Sequence, residues 1–246
     1  MKALLLAAGL GSRLRPLTDL LPKCLVPING RPLLYYWVSH LAQYDCVSEI
    51  IINTHYLPGP VREYIDTSPW RERVRLIHED ILLGTGGTLF RERDNLAHGD
   101  FLVAHADNLT LFDLRKFVKC HESRPTSCVA TMMTFKSDDP QSCGIVETDG
   151  IGIVSIMHEK VSMPPSSLAN AAVYLFNAGF WAIIDEFRPS TPCEISTDII
   201  PQIYGKIFTY HNNTYHRDIG NMFSLELARA DFPSIYSAFL ETAKLS

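Results

Sequence analysis

Two groups of residues have the types and spacings to do chemistry. The first is Leu6-Ala7-Ala8-Gly9-Leu10-Gly11-Ser12-Arg13-Leu14-Arg15-Pro16, which leaves an apolar run and carries two glycines and two arginines. After a strand, such a turn can bring backbone N–H groups close to an anion, because glycine has no Cβ in the way. Arginine adds planar, multidentate phosphate donors. Standing alone, the stretch reads equally as a tight turn with surface arginines. It is not a Walker loop, which needs G-x-x-x-x-G-K-[ST]. Nor is it a dinucleotide fingerprint: Leu14 stands at the third glycine position, and Asn53-Thr54-His55 replaces the acid expected after the second strand. The second group is a pair of acids. Phe101-Leu102-Val103-Ala104-His105-Ala106-Asp107-Asn108 is an apolar run ending in an aspartate, and Tyr215-His216-Arg217-Asp218-Ile219-Gly220 ends in another. Ligands bind outside the carboxyl ends of strands in α/β sheets. Taken singly, each acid reads more readily as a helix N-cap.

The elements that must position these residues follow from the hydrophobic pattern. Ala3 to Ala7, Glu49 to Asn53, Val74 to His78 and Phe101 to Ala104 read as buried strands. Pro32 to Tyr44, Pro60 to Ile65, Gly87 to Asn95 and Asp113 to His121 read as helices, with proline early in the first two, where its missing N–H costs nothing. This alternation predicts an α/β fold: a Rossmann-like, mixed, mostly parallel sheet flanked by helices. After about Ser127 strands crowd together, at Cys128 to Phe135, Gly144 to Glu147, Ile151 to Met157 and Asn170 to Phe176, with an Asp-Gly turn signal at Thr148-Asp149-Gly150. A helix at Gly179 to Phe187, a short segment from Ser196 to Ile203 and a final helix from Met222 to Ala230 complete the pattern. We expect a single domain over residues 1–246 with a β-rich second half from about residue 126, and no β-helix domain.

Composition narrows the classes. With 46% apolar and 20% charged residues, the 246-residue chain is an ordinary globular sequence rather than a disordered one. A net charge of -5 argues against broad nucleic-acid binding, which needs a basic face. The six cysteines form no C-x-x-C pair, so buried free thiols in a reducing cytoplasm are expected and a zinc site is not. The apolar start is read as a buried first strand rather than a signal peptide. No stretch approaches the ~20 apolar residues of a membrane span. The expected location is the cytoplasm, and self-association is left open.

The run L-A-A-G-L-G-S-R-L-R-P-L-T, followed by P-K-C-L-V-P-I-N-G-R-P-L, resembles the opening signature of the sugar-phosphate nucleotidylyltransferase family. The resemblance implies that Leu6, Ala8, Gly9, Gly11, Ser12 and Arg13 wrap a nucleoside triphosphate. It implies catalytic roles for Arg13, Lys23 and Asp107. Asp107 matches the acid of the family's G-D motif and Asp218 that of its D-I-G motif, so both are implied as ligands of Mg2+. Such a hard cation would offset the repulsion between two phosphorylated substrates. Leu83-Gly84-Thr85-Gly86-Gly87-Thr88-Leu89 resembles the family's glycine-rich helix start beside the nucleobase, which implies Gly86 and Gly87, and more weakly Asn53, near the base. Gly144, the Glu159-Lys160 pair and Asn170 resemble the elements that meet the sugar, its phosphate and its hydroxyls.

The implied reaction joins an NTP to a sugar 1-phosphate and releases pyrophosphate, with a slight lean to GTP and mannose or heptose 1-phosphate. Departures gather on the sugar side: Cys143 for tyrosine, Val161 for proline, Ala172 for glycine and His216 for tryptophan. Cys24 and Asn221-Met222 also differ from the usual residues. Three other readings stay open on sequence grounds. They are a cytidylyltransferase acting on phosphocholine or a phosphonate, a non-catalytic subunit that binds nucleotide sugar, and an NAD-dependent oxidoreductase, against which the missing third glycine counts.

Overall fold

The computed structural model describes residues 1–188 and 191–244. Among these, the strands and helices are β1 (Lys2–Leu6), β2 (Pro27–Ile28), β3 (Arg31–Pro32), α1 (Leu33–Ala42), β4 (Glu49–Thr54), α2 (Pro58–Asp66) and β5 (Val74–His78). They continue with α3 (Gly84–Arg91), α4 (Arg93–Leu96), β6 (Phe101–His105), β7 (Asn108–Leu111), α5 (Leu114–Glu122), β8 (Ala130–Lys136), β9 (Gly144–Thr148) and β10 (Val154–Glu159). β11 (Leu168–Phe176), α6 (Gly179–Ile183), β12 (Ile207–His211), β13 (Tyr215–Asp218) and α7 (Met222–Lys244) follow.

Helices flank a mixed sheet whose strands run β10-β9-β11-β6-β1-β4-β5, with β8 pairing β11 and β12 off that path. β4 and β5 are parallel, as are β8 and β12, whereas β11 runs antiparallel to β6, β8 and β9. The α/β class read from the alternating pattern is the observed one. Continuous apolar runs such as Ala3–Leu5, Ile50–Ile52 and Phe101–Ala104 are fully buried, as strands covered on both faces require. No helix among the described residues is long and apolar enough to cross a membrane.

Several boundaries differ from the pattern-based ones. The expected helix over 87–95 begins earlier and is split into α3 and α4. The strand expected from Ile151 starts at Val154, because Asp149 Oδ1 accepts the N–H groups of Ile151 and Ile153 and holds a wider turn there. α6 ends at Ile183 rather than Phe187, and α7 continues past Ala230, through Pro233, to Lys244. Three features were not expected from the pattern: β7, β12, and the β2–β3 hairpin closed by Asn29 and Gly30 at φ 50 and 73. Asn-Gly is the pair such a two-residue turn favours, since both central residues need positive φ.

The chain forms two compact units, each assembled from several stretches. One comprises Met1–Leu4, Ile81–Ala104 and Asp113–Asn213. Its interior includes Phe101, Phe176, Phe180 and Trp181, with centroids of Phe176 and Phe180 4.4 Å apart. α5 is capped by Asp113, whose carboxylate accepts from the Arg115 and Lys116 N–H groups at 2.9 and 3.2 Å. The other unit comprises Leu5–Asp80, His105–Phe112 and the chain from Thr214. Its core gathers Leu14, Val26, Ile28, Leu33, Tyr36, Leu109, Ile219, Leu225 and Phe232. There β7 and β13 pair antiparallel, with Asp218 opposite Asn108.

Candidate functional site

The loop after β1 is fixed at several points. The Ala106 N–H donates to Leu6 O at 3.0 Å, and the Ala7 N–H donates to the buried Asn53 Oδ1 at 2.6 Å. Gly11 is left-handed at φ 63, and a Cβ there would stand 3.0 Å from Thr18 Cγ2 and 3.1 Å from Lys23 Cβ. Glycine is therefore required at this position both by conformation and by the close approach of the Lys23 stem. The buried Thr18 hydroxyl donates to Gly11 O at 2.7 Å. A Cβ on Gly9 would meet nothing within 4 Å, so the chain faces open space at that residue. Arg13 is exposed, and Arg15 pairs with Asp19 at 3.2 Å.

Lys23 points from a short 3-10 turn, its side chain 8% exposed, and meets both acids: Nζ lies 2.7 Å from Asp107 Oδ2 and 3.7 Å from Asp218 Oδ1. The β7–β13 ladder accounts for the meeting, since Asp107 immediately precedes β7 and the Ile219 N–H donates to Asp107 O at 3.3 Å. Trp37 Nε1 secures β7 by donating to Asn108 O at 2.7 Å. Neither acid is a helix N-cap. Asn221 Oδ1 accepts the Ser224 N–H at 2.8 Å at the start of α7, leaving the Asp218 carboxylate to Lys23. Gly220 lies close beside it: a Cβ there would stand 2.7 Å from Asp218 Oδ2 and would displace that carboxylate.

The electrostatics of the pair are unequal. Burial works to raise the Asp107 carboxyl, but the charges of Lys23 and His105 and the Lys23 hydrogen bond outweigh it and hold the group below its ordinary value. Asp218 moves the other way: desolvation by the surrounding protein raises it and the Asp107 charge adds, against Lys23 and Arg13. Its side chain is 56% exposed, so water tempers the desolvation that is the largest cause of this rise, and the Lys23 charge works against it more strongly than the Asp107 charge adds. Two hard carboxylates brought together in this way suit a magnesium ion, which takes one or two carboxylates and fills its remaining positions with phosphate and water. Among the described residues no group of three or more His, Cys, Asp or Glu gathers as a ready-made metal cage. None of the six cysteines is in a disulfide; Cys24, Cys128 and Cys193 are buried as expected, whereas Cys46 is exposed and Cys120 and Cys143 are partly so.

A second group forms in the other unit. β9 and β10 place Glu159 opposite Gly144, where a Cβ would lie 2.7 Å from Glu159 Oε2. Lys160, left-handed at φ 50, donates its N–H to Cys143 O at 3.1 Å and holds Nζ 3.6 Å from Glu159 Oε1. Asn170 on β11 donates to the Tyr174 hydroxyl at 2.7 Å and accepts the Ala172 N–H at 2.9 Å. Gly144, Glu159 and Asn170 thus lie on strands that the sheet makes neighbours, and Lys160 directly follows β10. Gly86 and Gly87 have a packing role of their own. Their N–H groups donate to Cys193 O at 2.8 and 3.2 Å, and a Cβ on Gly86 would lie 2.7 Å from Cys193 Sγ.

A family model described as nucleotidyl transferase matches residues 2–234. The chain belongs to the nucleotidyl transferase family. It is 29% identical over 223 residues to a mannose-1-phosphate guanylyltransferase of Mycobacterium tuberculosis, covering 89% of this chain and 60% of that protein. A putative mannose-1-phosphate guanyltransferase of Sulfolobus acidocaldarius is 30% identical over 205 residues, 82% of this chain and 54% of the relative. The nucleotidyl transferase chain therefore spans little more than half the length of these curated relatives. Among solved structures, a putative glucose-1-phosphate thymidylyltransferase from Bacillus anthracis in complex with a sucrose superposes with a TM-score of 0.81, at 25% identity over 94% of each chain. HddC from Yersinia pseudotuberculosis complexed with GMP-PN shares the fold, with a TM-score of 0.76 at 24% identity over 94% of this chain and 99% of that one.

Other residues shape these groups in this nucleotidyl transferase through contacts that the sequence does not mark. Thr18 and Gly220 are ordinary residue types whose roles arise from contact alone. His216 pairs with the Thr110 hydroxyl, and burial, with Arg217 and His105 adding and Asp107 opposing, lowers its pKa to about 3. Arg217, beside Asp218 in sequence, is turned to Asp231 on α7 at 3.0 Å. Glu194 accepts from the Thr85 N–H and hydroxyl at 3.2 and 2.6 Å, so the first turn of α3 already holds an anionic side chain. The Cys193-Glu194-Ile195 stretch carries no periodic signal that marks it for this role.

Proposed function

We propose that the chain transfers a nucleotidyl group from an NTP to a sugar 1-phosphate, giving an NDP-sugar and pyrophosphate. The observation that carries the reading is the convergence of Asp107 and Asp218 on Lys23 beside the loop from Gly9 to Arg13. A phosphate oxygen of the sugar 1-phosphate bonds to Pα as the bond from Pα to the bridging oxygen breaks, and the electron pair leaves with pyrophosphate. The nucleophile is already anionic, so no general base is needed. What the chain supplies is positioning and charge. Backbone N–H groups between Gly9 and Ser12, with Leu6 and Ala8 flanking, receive the triphosphate, Arg13 clamps it, and Lys23 offsets charge on the reacting phosphates. Asp107 and Asp218 would hold magnesium, which when bound draws charge from the phosphate oxygens and orients them. Gly86 and Gly87 serve the base, Asn53 the loop, Gly144, Glu159 and Asn170 the sugar, and Lys160 its phosphate.

The names of the Mycobacterium and Sulfolobus relatives support GTP and mannose 1-phosphate as the first pair to try. The free cysteines support a cytoplasmic setting. Pyrophosphate release across a panel of NTPs and phosphorylated acceptors, phosphocholine included, tests the assignment. Asp107→Asn should lower turnover by about 10²–10³-fold, in the range of a lost electrostatic stabiliser, with its melting temperature near that of the parent. Near-parental pyrophosphate release by folded D107N sinks the role given to Asp107.

A further inference from the structure

The first residue of the phosphate-facing loop is held by a buried relay of two side chains. Asn53, 3% exposed, accepts the Ala7 N–H on Oδ1 at 2.6 Å and donates from Nδ2 to Glu79 Oε1 at 3.0 Å. Glu79 is itself 2% exposed. The parallel register of β4 and β5 sets Asn53 beside Ile77 and Thr54 beside His78, and the Glu79 N–H continues it by donating to Thr54 O at 2.9 Å. The relay is therefore built where these two strands end.

An amide side chain has one accepting end and one donating end, and it can turn over; a carboxylate only accepts. Glu79 thereby selects which end of Asn53 faces Ala7. With the amide reversed, Nδ2 would confront the Ala7 N–H, donor against donor, and the buried N–H would lose its partner. The peptide at Ala7 would then have to tilt. Its tilt is passed along the chain through the buried Ala8 to Gly9, where a Cβ would meet nothing within 4 Å. We propose that Glu79 is a positioning residue for triphosphate binding, acting through the orientation of Asn53 rather than by touching the nucleotide. The inference rests on the transferase reading of the loop, and it adds a residue outside the Leu6–Arg13 and Leu83–Leu89 stretches.

The test uses tripolyphosphate, which has no base or sugar, as the binding probe, with the KM for NTP and kcat measured alongside. Asn53→Asp keeps the acceptor for Ala7 but sets one carboxylate against another. It should weaken tripolyphosphate binding about tenfold and raise KM similarly, with kcat moving less. Glu79→Gln lets the amide turn over and should also weaken binding. Charge alone argues the reverse, because removing a negative group favours an anion. The double variant N53D/E79Q restores acceptor toward Ala7 and donor between the side chains at unchanged total charge, and should return binding to within about threefold of the parent. A pair that served folding alone would lower melting temperatures and leave the Kd of the folded protein where it was.

Should N53D fail to fold, E79Q and the double variant carry the comparison. The inference is overturned if folded E79Q binds tripolyphosphate as well as the parent or better, if the double variant binds no better than E79Q alone, or if the parent does not bind tripolyphosphate. Parental turnover with any of those results leaves the transferase reading standing. The expected binding pattern without turnover on any phosphorylated acceptor does the opposite.

Discussion

Ala172 adopts a left-handed conformation at φ 51, next to a break in the register of β11 between Asn170 and Tyr174. In the resemblance this position is a glycine, and the backbone gives a reason that needs no substrate: an L side chain there costs roughly 1–2 kcal/mol. Replacing it with glycine relieves that strain but adds freedom to the unfolded chain, which offsets part of the gain. Ala172→Gly should therefore be stabilising by about 1 kcal/mol at most, a rise in melting temperature of about 2–4 °C for a chain of this size. Thermal unfolding followed by circular dichroism reads it, and a fall in the midpoint contradicts the strain argument. Lys160 shares the conformation, at φ 50. The residues that depart from the family pattern thus include one whose effect belongs to the backbone as well as to the sugar side.

At the level of elements, the start of α3 shows how a motif can serve packing. A Cβ on Gly86 would stand 2.7 Å from Cys193 Sγ and 2.8 Å from Ile199 Cδ1, while one on Gly84, at φ 78, would stand 2.2 Å from the Cys193 carbonyl oxygen. The first obstacle is a side chain and can be trimmed; the second is backbone and cannot. Gly86→Ala should destabilise by about 1–3 kcal/mol, as overpacking does. Cys193→Ala should recover part of that loss in the G86A/C193A double variant. Gly84→Ala should be the more damaging substitution, and C193A should not rescue it. Chemical denaturation of the parent and the five variants (G86A, C193A, G84A and the two doubles with C193A) decides the matter, and additive losses in G86A/C193A would refute the stated contact.

For the molecule as a whole, buried histidine links stability to pH. His121 on α5 is 1% exposed, its Nδ1 pairs with Thr131 Oγ1 at 2.8 Å, and burial first, then Arg124, lowers its pKa to about 3. Asp100 lies 3.9 Å from Nε2, beyond hydrogen-bond reach, and is half-exposed, so it does not reverse the shift. The unfolded chain, with an ordinary histidine, binds the proton more readily. Stability from this group is therefore complete above about pH 6.5 and falls as pH drops toward 3, by up to about 1.4 kcal/mol per pH unit. Urea unfolding at stepped pH should show the slope, and His121→Gln should flatten it between pH 6 and 4; equal slopes in the two proteins would rule the assignment out. Much of this molecule could be read from residue order. Buried apolar runs gave the early strands, period and proline gave the helices between them, and local glycine chemistry marked the loop after β1. Most strands of the central sheet were legible because each is encoded by its immediate neighbours, although β12 was not; Asp107 and Asp218 stood out as acids closing strand-like runs, and Lys23 only through the family resemblance. That the two acids share one lysine was not legible, because it depends on β7 pairing with β13, and alternation tells which face a strand buries but not which strand lies beside it. β7 itself, Asn108–Leu111, is too short and too mixed in polarity to stand out. The Glu79–Asn53–Ala7 relay was hidden for the same reason: hydrogen bonds between residues distant in sequence leave no periodic trace, and only the folded chain decides which donor meets which acceptor.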